Sequence, residues 1–214
     1  MKTLSLEHAV AMIPDGASLM VGGFMGVGTP ERIMDELARQ GKRALTVIAN
    51  DTATPGRGIG KLVTAGAVRK AIVSHIGLNP ETQKKMLAGE MEVELVPQGT
   101  LVERLRAAGY GLGGVLTPTG VGTAAEEGKR RIEVDGAAYL LETALKADFA
   151  VVEAFLSDYY GNLVYALTAR NFNPVIAMAA NTVIVDAEHI VPVGMISPDH
   201  VVTPAVLVDY VVAH

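Results

Sequence analysis

Four short stretches hold the residue types that could do chemistry: Gly22-Gly23-Phe24, Asn50-Asp51-Thr52, Ser74-His75-Ile76-Gly77 and Pro97-Gln98-Gly99. Each stands where an apolar, β-branched run gives out. Asn, Asp, Ser and Gln supply hydrogen-bond donors and acceptors, and glycine lets backbone N–H groups come close to a ligand. If the preceding runs are parallel strands of one sheet, all four stretches lie on one rim. That is the side on which open α/β sheets bind ligands. "VGGFMGVGTP" (21–30) is the most unusual, with four glycines and Thr29 as its only polar side chain. A helix starting at Thr29-Pro30 would add a field favourable to a phosphate or an oxyanion. Glycines that only permit tight turns and close packing account for the same spacing equally well.

Familiar catalytic motifs are missing. Gly26-Val27-Gly28 opens a G-x-G-x-x-G whose sixth position is Glu31, so the dinucleotide fingerprint is incomplete. Gly56 to Lys61 has the wrong spacing for a phosphate-binding P-loop, and there is no G-x-S-x-G elbow. The chain has no cysteine, which removes disulfides, thiolate metal sites and Cys nucleophiles. Its five histidines (8, 75, 189, 200, 214) are scattered, so no metal site is expected. Formal net charge is -5 and the longest basic run is Lys129-Arg130-Arg131, a poor basis for neutralising nucleic-acid phosphates. The longest wholly apolar run, Val175 to Ala180, is far below the roughly 20 residues of a membrane span. The N-terminus does not read as a signal peptide, and a cytoplasmic location is expected.

The elements that must position the four stretches follow from periodicity. "ASLMVGGF", "ALTVIAND", "RKAIVSHI" and "MEVELVP" read as strands. "TPERIMDELARQG", "GKLVTAGAV", "NPETQKKMLAGE" and "GTLVERLRAAG" read as the helices between and after them. Thr29 is expected to cap the first of these, with Pro30 opening it and Gly41 ending it. Such alternation predicts βαβ crossovers and a buried, mostly parallel sheet. The glycine-rich segment 109–123 reads as irregular, and Asp135-Gly136 marks a type I′ hairpin. "DFAVVEAFLSDYYGNLVYA" reads as strand, turn and strand, and "NFNPVIAMAA" as a helix entered through Pro174. "NTVIVDAEHIVP" and "PAVLVDYVVA" complete an expected antiparallel tail. No linker or repeat divides residues 1–214. The fold expected is one α/β domain: an open, mixed, mostly parallel sheet flanked by helices, with an antiparallel C-terminal part.

One resemblance covers essentially the whole chain. Asp15-Gly16, Leu19-Met20-Val21, Gly22-Gly23-Phe24, Gly28 and Pro30 follow a signature of the family I CoA-transferases. The blocks "VPQGTLVERLRAAGYGLGG", "LTPTGVGT", "EEGK", "GNLVYALTARNFNP" and "DHVVTP" agree in order. The sequence resembles the alpha subunit of the two-subunit members, most nearly the acetate, acetoacetate and butyrate branch. The resemblance implies a fold shared with sugar-phosphate isomerases, and CoA or acyl-CoA as substrate rather than a permanently bound cofactor. It implies a short-chain carboxylate as the second substrate. It also implies a beta-subunit partner, in an α2β2 assembly, because the nucleophilic glutamate sits in a Ser-Glu-Asn-Gly-like block that this chain lacks. Glu126-Glu127-Gly128 belongs to the alpha pattern and reads as structural.

Residue by residue, the resemblance assigns CoA binding to the loop Gly22, Gly23, Phe24, Met25, Gly26, Val27 and Gly28. It assigns to the Gln98 backbone amide a place in the oxyanion hole. Gly99 is expected to let that strand end turn tightly. Asn50, Asp51 and Gly99 are candidates for the acyl pocket, although a capping or turn role serves Asn50 and Asp51 equally well; Phe24 could wall that pocket, yet a Phe after a core strand is more often simply packed. The Val, Ala, Met and Tyr content of the late segment suits a broad apolar interface with the partner. Asn50-Asp51 stands where the 3-oxoadipate branch tends to carry Asn-Asn. No Arg or Lys stands in 22–30 to receive a second carboxylate, which favours a monocarboxylate, with Arg57 near enough in sequence to overturn that. A 3-oxoadipate enzyme, a sugar-phosphate isomerase and a non-catalytic acyl-CoA-binding scaffold remain alternatives.

Overall fold

The computed structural model describes residues 3–212. The chain runs β1 (Thr3–Leu4), α1 (Leu6–Ala11), β2 (Ser18–Val21), α2 (Glu31–Arg39), β3 (Leu45–Ile48), α3 (Ile59–Thr64), β4 (Val68–Val73), α4 (Pro80–Leu87), β5 (Glu92–Leu95) and α5 (Gln98–Gly109). Then follow β6 (Gly114–Thr117), β7 (Arg130–Val134), β8 (Ala137–Thr143), β9 (Ala147–Asp158), β10 (Leu163–Val164), α6 (Asn173–Ile176), β11 (Ala180–Val191) and β12 (Tyr210–Val212). The main sheet has the order β1-β12-β11-β9-β2-β3-β4-β5, every pair parallel, with β10 antiparallel on β9.

Alternation along the strands sends side chains to two cores, as the period of 2 requires. Leu19 and Val21 of β2 join Ile33, Met34, Leu37 and Leu62 on one face. Met20 between them joins Ile48, Ile72, Leu101, Leu105 and Ile176 on the other. Helices α1 to α4 thus cover one side, and α5 and α6 cover the other. Local signals end the helices as expected. Gly41 (φ +67) follows α2, with the Lys42 N–H donating to Leu37 O and the Gly41 N–H to Ala38 O, which satisfies carbonyls left open at the helix end. The Asn79 side chain accepts from the Glu81 and Thr82 N–H groups at the start of α4.

Three expectations need correction. The long strands of the tail are not antiparallel: β11 and β12 run parallel with β9, the short β10 alone of the named strands after β8 pairs antiparallel, and the antiparallel sheet is β6-β8-β7, formed by residues 114–143. That sheet holds the Asp135-Gly136 hairpin with φ +51 and +76, and its β6 lies within the segment read as irregular. Thr29 does not cap α2. Pro30 occupies the cap position with no side-chain bond, and the Thr29 hydroxyl is packed against Gly23.

Candidate functional site

The sheet reverses its strand order between β2 and β9. From β2 the sequence of strands runs outward through β3, β4 and β5, and from β9 it runs the other way through β11 and β12. Val21, the last residue of β2, pairs with Val151, while β9 continues to Asp158. A crevice opens there on the carboxyl side, the place where open α/β sheets hold ligands. The four stretches singled out from sequence do share this rim. The Ser74 hydroxyl donates to Asn50 O at 2.7 Å, Asp51 pairs with His75, and the Met25 N–H donates to Asp51 Oδ2 at 2.9 Å.

The loop 22–28 is held by its own chain. The Phe24 and Val27 backbones exchange two hydrogen bonds of 2.9 Å across Met25 (φ +52) and Gly26 (φ +81), the geometry of a type I′ turn. The Gly22 N–H donates to Val151 O, the Gly23 N–H to Asn171 Oδ1 and the Met25 N–H to Asp51. Most of the loop's donors are therefore spent within the chain. What the tip turns outward is the apolar side chains of Phe24, Met25 and Val27, each about two-fifths exposed. Asp51 is buried, with its second oxygen accepting from the Ala53 N–H at 2.7 Å, so it acts as the brace of this loop.

Two asparagines, which the sequence offered only as the entry to a helix, complete the clamp. Asn171 Nδ2 donates to Val27 O and Thr168 O. Asn173 is fully buried; its Nδ2 donates to Gly28 O and Ala169 O, both at 2.8 Å, and its Oδ1 accepts from the Glu153 N–H. A Cβ at Gly22 would overlap Asn173 Oδ1, so glycine at this position is a packing requirement. Their spacing around Phe172, Asn-Phe-Asn, was the available signal, but its partners lie more than 140 residues away.

Between this loop and α5 lies a cavity of about 480 Å³. Phe24, Val102, Phe172 and Val175 form its apolar walls, and Asn50, Gln98, Arg106, Thr168 and Asn171 its polar ones. Gln98 is the first residue of the 12-residue α5, whose cap, Pro97, makes no side-chain bond. The N–H groups of Gln98, Gly99 and Thr100 find no acceptor among the described residues, and they carry the positive end of the helix. Arg106 stands roughly 12 Å further along the same helix, at 1.5 Å per residue. Gly99 lies within the helix rather than at a tight turn. A Cβ there would meet nothing within 4 Å, and Gly99 borders a different cavity, with Glu103 and Leu116. No Asp or Glu side chain lines the cavity at Gln98. Glu126 sits elsewhere, accepting from the Gly122 N–H and facing Arg131. Among the described residues no His, Asp and Glu are grouped to hold a metal ion, and no helix is long and apolar enough to cross a membrane. His214 lies outside the described residues.

A second, acidic hollow lies on the far side of the clamp, where Glu153, Asp186, Glu188 and Glu31 converge with Arg32. Burial, then the charges of Glu188, Asp186 and Glu31, push the Glu153 carboxyl up to about 7. A carboxyl group raised on folding contributes stability that is present below its unfolded value near 4.5 and lost as pH rises through 7. Glu153→Gln is therefore expected to leave the thermal midpoint nearly unchanged at about pH 4 and to raise it at about pH 8. After discounting for solvent screening, the gain is on the order of 1–3 kcal/mol. Equal effects at both pH values in thermal melts would refute the assignment.

Comparison with known proteins bears on this site. The sequence matches the family described as Coenzyme A transferase over residues 3–214. It is 53% identical over 211 residues to "Acetate CoA-transferase subunit alpha" of Escherichia coli (strain K12), covering 99% of this chain and 96% of that protein. It is 48% identical over 211 residues to "Acetoacetyl-CoA:acetate/butyrate CoA transferase alpha subunit" of Clostridium acetobutylicum, covering 99% of this chain and 97% of that one. Among solved structures, the acyl-CoA transferase YdiF of E. coli O157:H7, in a thioester complex with CoA, superposes with a TM-score of 0.88 at 26% identity. That match covers 99% of this chain, which spans only 47% of the longer YdiF chain. With a family match over residues 3–214 and a relative at 53% identity aligned along nearly its full length, this chain belongs to the coenzyme A transferase family.

Proposed function

We propose that this chain is the alpha subunit of a two-chain CoA-transferase, working in an α2β2 assembly on short-chain acyl-CoA and a monocarboxylate such as acetate, butyrate or acetoacetate. The observation that carries this reading is a cavity with a helix N-terminus at one end and no carboxylate of its own to act as nucleophile. Nucleophilic catalysis divides transfer into steps: a glutamate carboxylate from the beta subunit attacks the thioester carbonyl and expels CoA thiolate, forming an acyl-glutamyl anhydride. The thiolate then attacks the glutamyl carbonyl, releasing the first carboxylate and leaving CoA on the glutamate. The acceptor carboxylate attacks this thioester, and the reverse sequence delivers the new acyl-CoA. Every tetrahedral intermediate carries an oxyanion, and the Gln98 N–H at the α5 terminus is the donor this chain offers it. Phe24 and Phe172 wall the acyl group, and Asn50 borders it. The loop 22–28 contacts CoA through its tip side chains, Phe24, Met25 and Val27, more than through free amides.

The chain alone is expected to show no acyl-CoA:acetate transfer. Mixed with its cognate beta chain, it is expected to show ping-pong kinetics and a hydroxylamine-sensitive enzyme thioester on the beta chain. Transfer by the isolated chain would refute the two-chain reading. A preference for 3-oxoadipate over acetate would refute the monocarboxylate assignment, with Arg106 in the cavity and Arg57 packed over Gly26 the residues to examine.

A further inference from the structure

Leu167 is 94% exposed and holds φ +47, a conformation that costs an L-residue with a branched side chain roughly 1–2 kcal/mol. Nothing within the chain offsets that cost through burial. Its turn, Leu167–Arg170, is nevertheless fixed in space. Asn171 ties Thr168 O to Val27 O, and Asn173 ties Ala169 O to Gly28 O. The next residue, Thr168, lines the cavity at Gln98. An apolar side chain is thus held out, under strain, at the mouth of the site. Phe24, also exposed, lines the same cavity. Strain of this kind persists where it serves a site.

We infer that Leu167 anchors the partner subunit at the cavity mouth, seated in an apolar pocket of the chain that delivers the carboxylate. The inference rests on the two-chain reading above and gives its partner a docking point. Three observations favour that occupant. The cavity is the place that lacks a carboxylate, so the chain supplying one must cover this mouth. The groups bordering the mouth are cationic or neutral, with Arg106 in the cavity and Arg170 on the Leu167 turn, and these suit an incoming carboxylate. Leu167, a nearly fully exposed apolar side chain on a fixed turn, has the character of an interface anchor, where a few well-seated side chains carry most of the affinity.

The test uses the full-length chain and its cognate beta chain, recognised by the Ser-Glu-Asn-Gly-like block. Leu167→Gly relieves the positive φ, so the thermal midpoint of the isolated chain is expected to hold or rise. Its affinity for the beta chain, measured by sedimentation, is expected to fall about tenfold or more, and further in Leu167→Asp. Leu87→Asp, on an 82% exposed leucine of α4, is expected to leave the affinity unchanged. Unchanged affinity in both Leu167 variants would overturn the inference. So would a lowered midpoint of the isolated Leu167→Gly chain, which would assign the side chain to internal packing. A raised KM for acyl-CoA at unchanged subunit affinity would overturn it as well, making Leu167 a cover for substrate. A wild-type complex that forms but transfers no CoA would refute the proposed function alone, and weaker binding of the Leu167 variants would still support the docking point.

Discussion

Gln98→Pro is expected to fold normally and to lose about 10²–10³ in kcat in the reconstituted two-chain enzyme. Proline at the first position of a helix removes an N–H that has no partner in the helix and supplies a φ already suited to it. The preceding residue must be extended, and Pro97, at φ -50 and ψ 133, already is. The substitution therefore deletes one backbone donor and leaves α5 standing. Gln98→Ala keeps the donor and is expected to change kcat less than about threefold, because the donor at issue is the backbone N–H. Steady-state kinetics and thermal melts of the two variants decide the matter. Full kcat in Gln98→Pro, with a wild-type midpoint, would remove Gln98 from the oxyanion hole.

The second large effect is expected at Asn173→Asp, which changes one atom and no volume. The Glu153 N–H keeps an acceptor, but the two carbonyls of Gly28 and Ala169 lose their donor and face a carboxylate oxygen instead. At a fully buried position, that arrangement is expected to cost about 3 kcal/mol or more. For a chain of this length the midpoint falls by roughly 6–12 °C. Acidification protonates the new carboxyl and restores one donor, so the deficit is expected to shrink as pH is lowered. A midpoint within 2 °C of wild type, by the sensitivity of roughly 2–4 °C per kcal/mol, would show the clamp to be energetically minor.

The first half of the fold was legible because each of its signals is local. β-branched runs alternate with capped helices, so Asn79 and Gly41 mark ends that need no knowledge of the rest. The direction of β11 and β12 was not legible for a related reason. Parallel pairing is announced by a crossover helix, and here the connection from β9 to β11 carries β10, the Leu167–Arg170 turn and the four-residue α6, while that from β11 to β12 carries short 3-10 turns. Segment 109–123 hid β6 because glycine has low strand propensity; Gly114 nevertheless lies close against the Glu142 backbone of β8. At the site, the rim was readable as four strand ends, but its bracing was not. Asp51 stood open between substrate contact and a turn role, and its carboxylate braces the loop; the bonds of Asn171 and Asn173 to Val27 and Gly28 are set by tertiary contact.

That long-range bracing has a consequence for how the molecule comes into being. Contacts between distant parts of a chain must await closure of the segment between them, and a separation of 144 to 148 residues places these among the last to form. During synthesis, β2 and its neighbours can assemble while the loop after β2 still lacks the asparagines that shape it. The clamp on this loop is therefore complete only when residue 173 has left the ribosome. A chain interrupted before that point would carry the Phe24–Val27 turn and its Asp51 brace, but not the asparagine clamp that fixes the loop to the second half of the fold.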